Sequence, residues 1–247
     1  MDSLREMKMS RLILVTGGNS GIGKEIVQKQ ISIGNNVICT YNKSGEENFN
    51  IERENQLVKQ LKVDIRNDDE IKELFRMIKT DFGKLDGLVN NAGMAYGNLT
   101  SLSPLDEIRE VFEINFFSQI RVIQKAIRVL RKGDKASIVN IGSIAALRKD
   151  IGSMAYSSSK AAFIQATRVM AQEYIGYGIR LNAIAPGITK TKMLELMDPK
   201  SIKKQILESG VKRIANTKEI ASVVGFLLST ESSYIIGQCI NVDGGQI

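Results

Sequence analysis

Seven short apolar runs recur along the chain, each separated from the next by a longer polar or helix-patterned stretch. The runs are RLILVTG, NNVICTY, QLKVDI, LDGLVNNAG, ASIVNIGS, IRLNAIAPG and QCINVDGG. Amphipathic segments such as GIGKEIVQKQISIG, DDEIKELFRMIKTDFG and PLDEIREVFEINFFSQIRVIQKAIRVLRKG lie between them. Strand–helix–strand alternation of this kind reads as a parallel sheet covered on both faces. About seven strands in one sheet make an α/β, doubly wound, Rossmann-type domain. The 247 residues contain no Pro/Gly/Ser-rich linker, so residues 11–247 read as one domain and residues 1–10 as a lead-in. The helices near 105–130 and 155–175 are expected to be long. Two places break the alternation. Residues 42–56 are polar with weak periodicity and read as a loop or a poorly formed helix. Residues 188–214 form a long insertion after a strand, expected as one or two short helices over a cleft.

Composition removes several function classes. The chain has no histidine, which rules out Ser-His-Asp chemistry, HExxH zinc sites and Cys-His nucleophile pairs. No metal site is expected. Two cysteines, Cys39 and Cys239, lack CxxC spacing and read as reduced, buried thiols. The net charge of +7 is scattered, and aromatic residues are 6% of the chain. Nucleic-acid binding calls for a concentrated basic patch with interleaved aromatics, so that partner is not expected. No apolar run approaches the ~20 residues that span a bilayer. MDSLREMKMS lacks the apolar centre of a signal peptide. A cytoplasmic protein with no membrane partner is the expectation.

After the first apolar run comes TGGNSGIG, residues 16–23. Its glycines, Gly17, Gly21 and Gly23, fall at a strand end and a helix start, where a tight turn lets backbone approach a pyrophosphate. Asn19, Ser20 and Ile22 complete the turn. At the end of the second run, a carboxylate would hold the 2′-hydroxyl of NAD. Tyr41 stands there instead, followed by Asn42, Lys43 and Ser44. A missing carboxylate and an available ammonium favour NADP(H) over NAD(H); the alternative reading of Lys43 is a solvated loop residue. Asp64 and Ile65 end the third run, with Asp64 placed to meet the adenine amino group.

Asn115 in EINFF, Ser143 in NIGSIAA, and Tyr156 with Lys160 in MAYSSSKAAF are expected on one side of such a sheet. Spaced i and i+4, Tyr156 and Lys160 share a helix face. Tyrosine has a pKa near ~10, and bringing it near 7 takes about 3 units, or ~4 kcal/mol. A nearby ammonium shifts it in that direction. The serines between Tyr156 and Lys160 read as helix filler.

These features together resemble the short-chain dehydrogenase/reductase family, over nearly the whole chain from about residue 11. TGGNSGIG matches the cofactor turn of that family, and NNAG, with Asn91, Ala92 and Gly93, its fourth-strand motif. Asn115, Ser143, Tyr156 and Lys160 match its catalytic tetrad in order and spacing. PGIT, comprising Pro186, Gly187, Ile188 and Thr189, matches the segment beside the nicotinamide carboxamide. The resemblance implies that Tyr156 is the general acid in ketone reduction and that Ser143 holds the carbonyl oxygen. It implies that Lys160 lowers the tyrosine pKa and binds the nicotinamide ribose. Asn115 would hold a water that extends the proton relay. Assembly as a homotetramer or dimer, through the two long helices and the last strand, is also implied.

Within the family the chain most resembles bacterial 3-oxoacyl-[acyl-carrier-protein] reductases. It departs from them at Tyr177, where an arginine used in carrier docking is common, and in RKGDKAS. The substrate is therefore either carrier-bound or a sugar or other small carbonyl compound. Lys190, Lys192, Lys200, Lys203, Lys204, Lys212 and Arg213 form either a landing area for an acidic group or solvated helix faces. Met193, Leu194, Leu196 and Met197 are expected to close over substrate or cofactor. A non-catalytic cofactor-binding regulator would typically lose the tyrosine or lysine, and both are present. A dehydrogenase working mainly toward oxidation would carry an acid near position 41.

Overall fold

A computed structural model describes residues 10–42, 56–195 and 197–247. Lys43, Ser44, Leu196 and nearly all of the weakly patterned 42–56 segment lie outside the described residues.

All seven expected strands form, the third shifted toward the N-terminus so that Asp64 and Ile65 lie just past its end. They are β1 (Leu12–Val15), β2 (Asn36–Tyr41), β3 (Val58–Lys62), β4 (Gly87–Asn90), β5 (Ser137–Ile141), β6 (Arg180–Pro186) and β7 (Cys239–Val242). They pair in one parallel sheet of order β3-β2-β1-β4-β5-β6-β7. The order reverses between β1 and β4, which opens a crevice at their carboxyl ends.

Helices cover both faces. One core packs α2 (Asp68–Asp81), α4 (Ser118–Leu130) and α5 (Met154–Ile175) on the sheet through residues such as Ile71, Ile123 and Phe163. The other packs α1 (Gly21–Ser32) and α8 (Thr217–Leu228) through Ile26, Val27, Ile220 and Val224. β1, β2, β4 and β5 are buried almost throughout, which is why they read as unbroken apolar runs rather than alternating ones. Local signals set the helix starts. Asn67 accepts from the Asp69 and Glu70 amides at the head of α2, and Asn216 with Glu219 forms a reciprocal cap on α8.

The single helix expected over 105–130 is instead two helices. α3 (Leu105–Phe112) runs into a π-helical turn, Glu113–Phe117, before α4 begins. A π turn inserts one extra residue and shifts the phase of the following helix. Asn115 sits in that turn, fully buried.

The long insertion holds two helices, as expected: α6 (Lys192–Glu195) and α7 (Pro199–Glu208). Its base is pinned by a parallel bridge between Thr189 and Ala215. Both cysteines are free. Cys39 is buried, and burial raises its thiol to about 11. Cys239 departs from expectation by being only half-buried, because β7 is the sheet edge.

Candidate active site

The glycine turn follows β1 at the crevice. Gly17 and Gly21 take φ of +63° and +51°, backbone that side chains rarely adopt. A Cβ on Gly23 would stand 2.1 Å from the Gly17 carbonyl oxygen, so the third glycine is there for space. Ser20 precedes α1 without capping it through its side chain, and the first turn of α1 holds no acid. That leaves amide N–H groups and a positive dipole end facing the crevice, a chemistry suited to a pyrophosphate.

The turn is clamped from β4. Asn91 Nδ2 donates to the carbonyls of Thr16 and Gly17, at 3.0 and 2.9 Å. The Thr16 hydroxyl accepts from the Asn91 and Ala92 amides, both at 3.1 Å. Thr16 was not among the expected site residues. It lies inside the motif, but the pairing that explains it spans 75 residues.

The four expected catalytic residues come together. Lys160 Nζ, 4% exposed, donates to the carbonyl of Ile141 at the end of β5, at 2.8 Å. Ser143 follows two residues later and hydrogen-bonds the Tyr156 phenol. Its hydroxyl also accepts from the Ala145 amide. A Cβ on Gly93 would lie 3.1 Å from Asn115 Oδ1 and 3.4 Å from Lys160 Nζ, which places the β4 loop against both.

Asn115 is held on all sides. Its Oδ1 accepts from the Met94 amide, and its Nδ2 donates to the Met94 carbonyl and to Ser159 Oγ. Both amide protons are thus used within the protein. Any water at this side chain would have to donate to it. Ser159 in turn donates to the Tyr156 carbonyl at 2.7 Å. The reading of the intervening serines as helix filler therefore fails for Ser159, which is buried and ties the π turn to α5. Spacing could have flagged it, since it lies three residues from Tyr156 on the same face.

In the chain alone, burial dominates the electrostatics of the pair. Burial raises the Tyr156 phenol, and the Ser143 hydrogen bond offsets this only in part. Burial lowers Lys160 to about 8. Desolvation opposes the charged form of both groups, so the phenol is protonated at neutral pH. That is the form a proton donor requires.

The remaining expected residues line the same edge. Pro186 ends β6, and the Gly187 amide donates to the Val242 carbonyl. Ile188 and Thr189 are buried, with the Thr189 hydroxyl on the Gly187 carbonyl. Ile22 packs against the α1–α8 core, and Asn19 sits half-buried in the turn. Tyr41 is half-buried at the end of β2. Ile65 is buried beside Asp64. Asp64, placed by expectation at adenine, is engaged by Arg66 at 2.6 Å and by Asn42, and these partners hold its carboxyl below its ordinary value. Meeting adenine would require one of those bonds to exchange.

The fit to a dinucleotide rests on this geometry: a glycine cradle that side chains would fill, a helix start clear of acids, and Lys160 beside the β4 loop.

A family model described as enoyl-(acyl carrier protein) reductase matches residues 17–246. The chain is 30% identical over 235 residues to the 3-oxoacyl-[acyl-carrier-protein] reductase FabG of Vibrio cholerae, covering 95% of this chain and 96% of that protein. Among solved structures, ligand-free aldohexose dehydrogenase of Thermoplasma acidophilum superposes with a TM-score of 0.86 at 30% identity, covering 97% of this chain and 94% of that one. The Pseudomonas aeruginosa RhlG/NADP active-site complex superposes at 0.86 with 27% identity, over 98% of each chain. The protein belongs to the short-chain dehydrogenase/reductase family, a family of nicotinamide-dependent oxidoreductases.

Proposed function

We propose that this protein is an NADP(H)-preferring reductase that converts a ketone to a secondary alcohol. The observation that carries the reading is the convergence of Ser143, Tyr156, Lys160 and Asn115 beside the glycine turn. When bound, a reduced nicotinamide supplies the hydride to the carbonyl carbon. Ser143 donates a hydrogen bond to the carbonyl oxygen as negative charge develops there. Tyr156, a neutral phenol at this pH, gives its proton to that oxygen. Lys160 holds the end of β5 and sits where its ammonium would stabilise the phenolate left behind. Asn115, through Ser159, holds the first turn of α5 and with it the phenol. The glycine turn, braced by Asn91, would hold the pyrophosphate side of the cofactor, and Pro186 to Thr189 its nicotinamide side. NADP(H) is favoured because Tyr41 stands where an NAD-selecting carboxylate would be.

A 3-oxoacyl group on an acyl carrier is the first candidate substrate, supported by the reductase relatives. A sugar or other small carbonyl compound is the second, favoured by Tyr177. Its exposed ring lies under the Arg131 guanidinium, 4.3 Å from centroid to Cζ, where a docking arginine would be expected. In the insertion, Arg213 and Lys204 pair with Glu219 and Glu208, which supports the solvated-face reading of those two cations.

An assay with NADPH and NADH against an acetoacetyl thioester, ketosugars and simple diketones tests the reading. Tyr156→Phe should bind cofactor and lose turnover by at least about 100-fold; retained turnover would sink the assignment.

Assembly as a homodimer or homotetramer is part of the same reading. Leu105, Ile108, Phe112 and Phe117 line a shallow groove on α3 and the π turn, rimmed by Arg66, Arg109, Glu110 and Glu113. An apolar strip with both charges at its rim suits a self-complementary two-fold contact.

A further inference from the structure

We propose that Arg148 is a positioning residue that latches α7 onto the loop carrying Ser143, holding that helix over the crevice.

The 190–214 excursion starts against the cofactor turn. Its base is pinned where the Ala215 amide donates to the Ile188 carbonyl and the Lys190 amide to the Ala215 carbonyl. Thr191 Cγ2 then lies 3.2 Å from the point a Gly21 Cβ would occupy. The excursion ends on the opposite wall. Glu208, the last residue of α7, pairs with the Arg148 guanidinium, five residues past Ser143. Thr191 therefore stands at the glycine turn and Glu208 at the serine loop.

The two sides of the latch are unequal. The Arg148 side is a fixed post. Its side chain is 11% exposed, and Asp150 of the same loop takes its Nε and Nη2 at 3.0 and 3.1 Å. The loop is braced further: Ser153 donates to the Asp150 carbonyl, and the Asn98 amide to the Gly152 carbonyl. The α7 side is the mobile partner. No residue of α7 is buried, so little apolar packing holds it. Elements held this weakly open most easily, and lids are drawn from them. Beyond Glu208, α7 is tied back by backbone-level contacts to the chain's end, with the Ser209 hydroxyl and Val211 amide on the Gly244 carbonyl. A charge-assisted bond to a guanidinium already oriented by Asp150 loses little side-chain freedom on closing.

Hydrogen exchange tests the latch on the whole protein. Arg148→Met and Glu208→Gln should each speed exchange over residues 199–208 by about 10-fold, with α8 and β6 unchanged. The double variant should exchange little faster than Arg148→Met alone, since the Arg148–Glu208 bond is already lost there. Glu208 lies at the surface, so Glu208→Gln folds even where Arg148→Met does not. In kinetics, the KM for the carbonyl substrate should rise about 10-fold while kcat stays within about 3-fold and cofactor affinity within about 2-fold. The kinetic arm rests on the ketone-reductase reading and the exchange arm does not. Faster exchange at 199–208 without turnover of any carbonyl supports the latch and faults that reading. Unchanged exchange at 199–208, an additive double variant, protection lost evenly across the fold, or a fall in kcat at constant KM would each overturn the latch.

Discussion

Asn115 Nδ2 donates to Ser159 Oγ at 3.1 Å across 44 residues of sequence, joining the π turn to the helix that carries Tyr156. Ser159 passes the link on to the Tyr156 carbonyl. The phenol is thus placed by a buried polar chain as well as by its own helix.

Removing that chain should be costly. Ser159→Ala leaves one Asn115 proton without its partner in a buried site, a loss of about 1–3 kcal/mol. Urea unfolding should show it as a lower midpoint. Turnover should fall about 10-fold or more with cofactor affinity nearly unchanged. Wild-type kcat in Ser159→Ala would show that the chain does not position Tyr156.

Lys160 makes a pH prediction. Its folded-state value is about 8, against an ordinary 10.5. Between these values the unfolded chain holds a proton that the folded one has lost, so stability rises with pH. The penalty for burying the ammonium is full below pH 8 and is relieved as pH rises toward 10.5. Relative to Lys160→Met, the wild type should gain up to about 3 kcal/mol across that window. Chemical denaturation of both proteins from pH 7 to 10 checks this; parallel stability curves would contradict it.

Thr16→Val keeps the shape of a fully buried side chain but removes the acceptor for two amides. Each unpaired buried donor costs about 1–3 kcal/mol, so a total of about 2–6 kcal/mol is expected. Cofactor fluorescence should report weaker binding, because Asn91 would no longer hold the turn in register. An unchanged unfolding midpoint would mean that other groups satisfy those amides.

The α3 groove predicts an assembly defect. Leu105 is 67% exposed and Phe117 52% in the isolated chain. Burying side chains of this size contributes about 1.5–3 kcal/mol each. Leu105→Glu with Phe117→Glu should therefore weaken association at least about 100-fold. Sedimentation velocity would show smaller species at micromolar concentration, and an unaltered profile would place the interface elsewhere.

Much of this architecture is local in origin. The five inner strands were legible because each is a short apolar run closed by turn residues, and a strand buried on both faces has no other pattern to show; the edge strands β3 and β7 are only half-buried. Tyr156 and Lys160 were legible as a pair because four residues is one helical turn. The glycine turn was legible because strand, glycines and helix follow one another directly. The π turn was not, since the apolar spacing of 105–130 continues across it and only the packing of Asn115 against Met94 and Ser159 marks the extra residue. Nor was the raised pKa of Tyr156, because it comes from desolvation, which only the packing around the phenol creates. Strand order, the Thr16–Asn91 clamp and the Arg148–Glu208 pair join residues tens of positions apart. Periodicity in a sequence reports which side chains share a face of their own element. Which faces then meet is decided by the sheet's crossovers, and those bring the distant partners to one crevice.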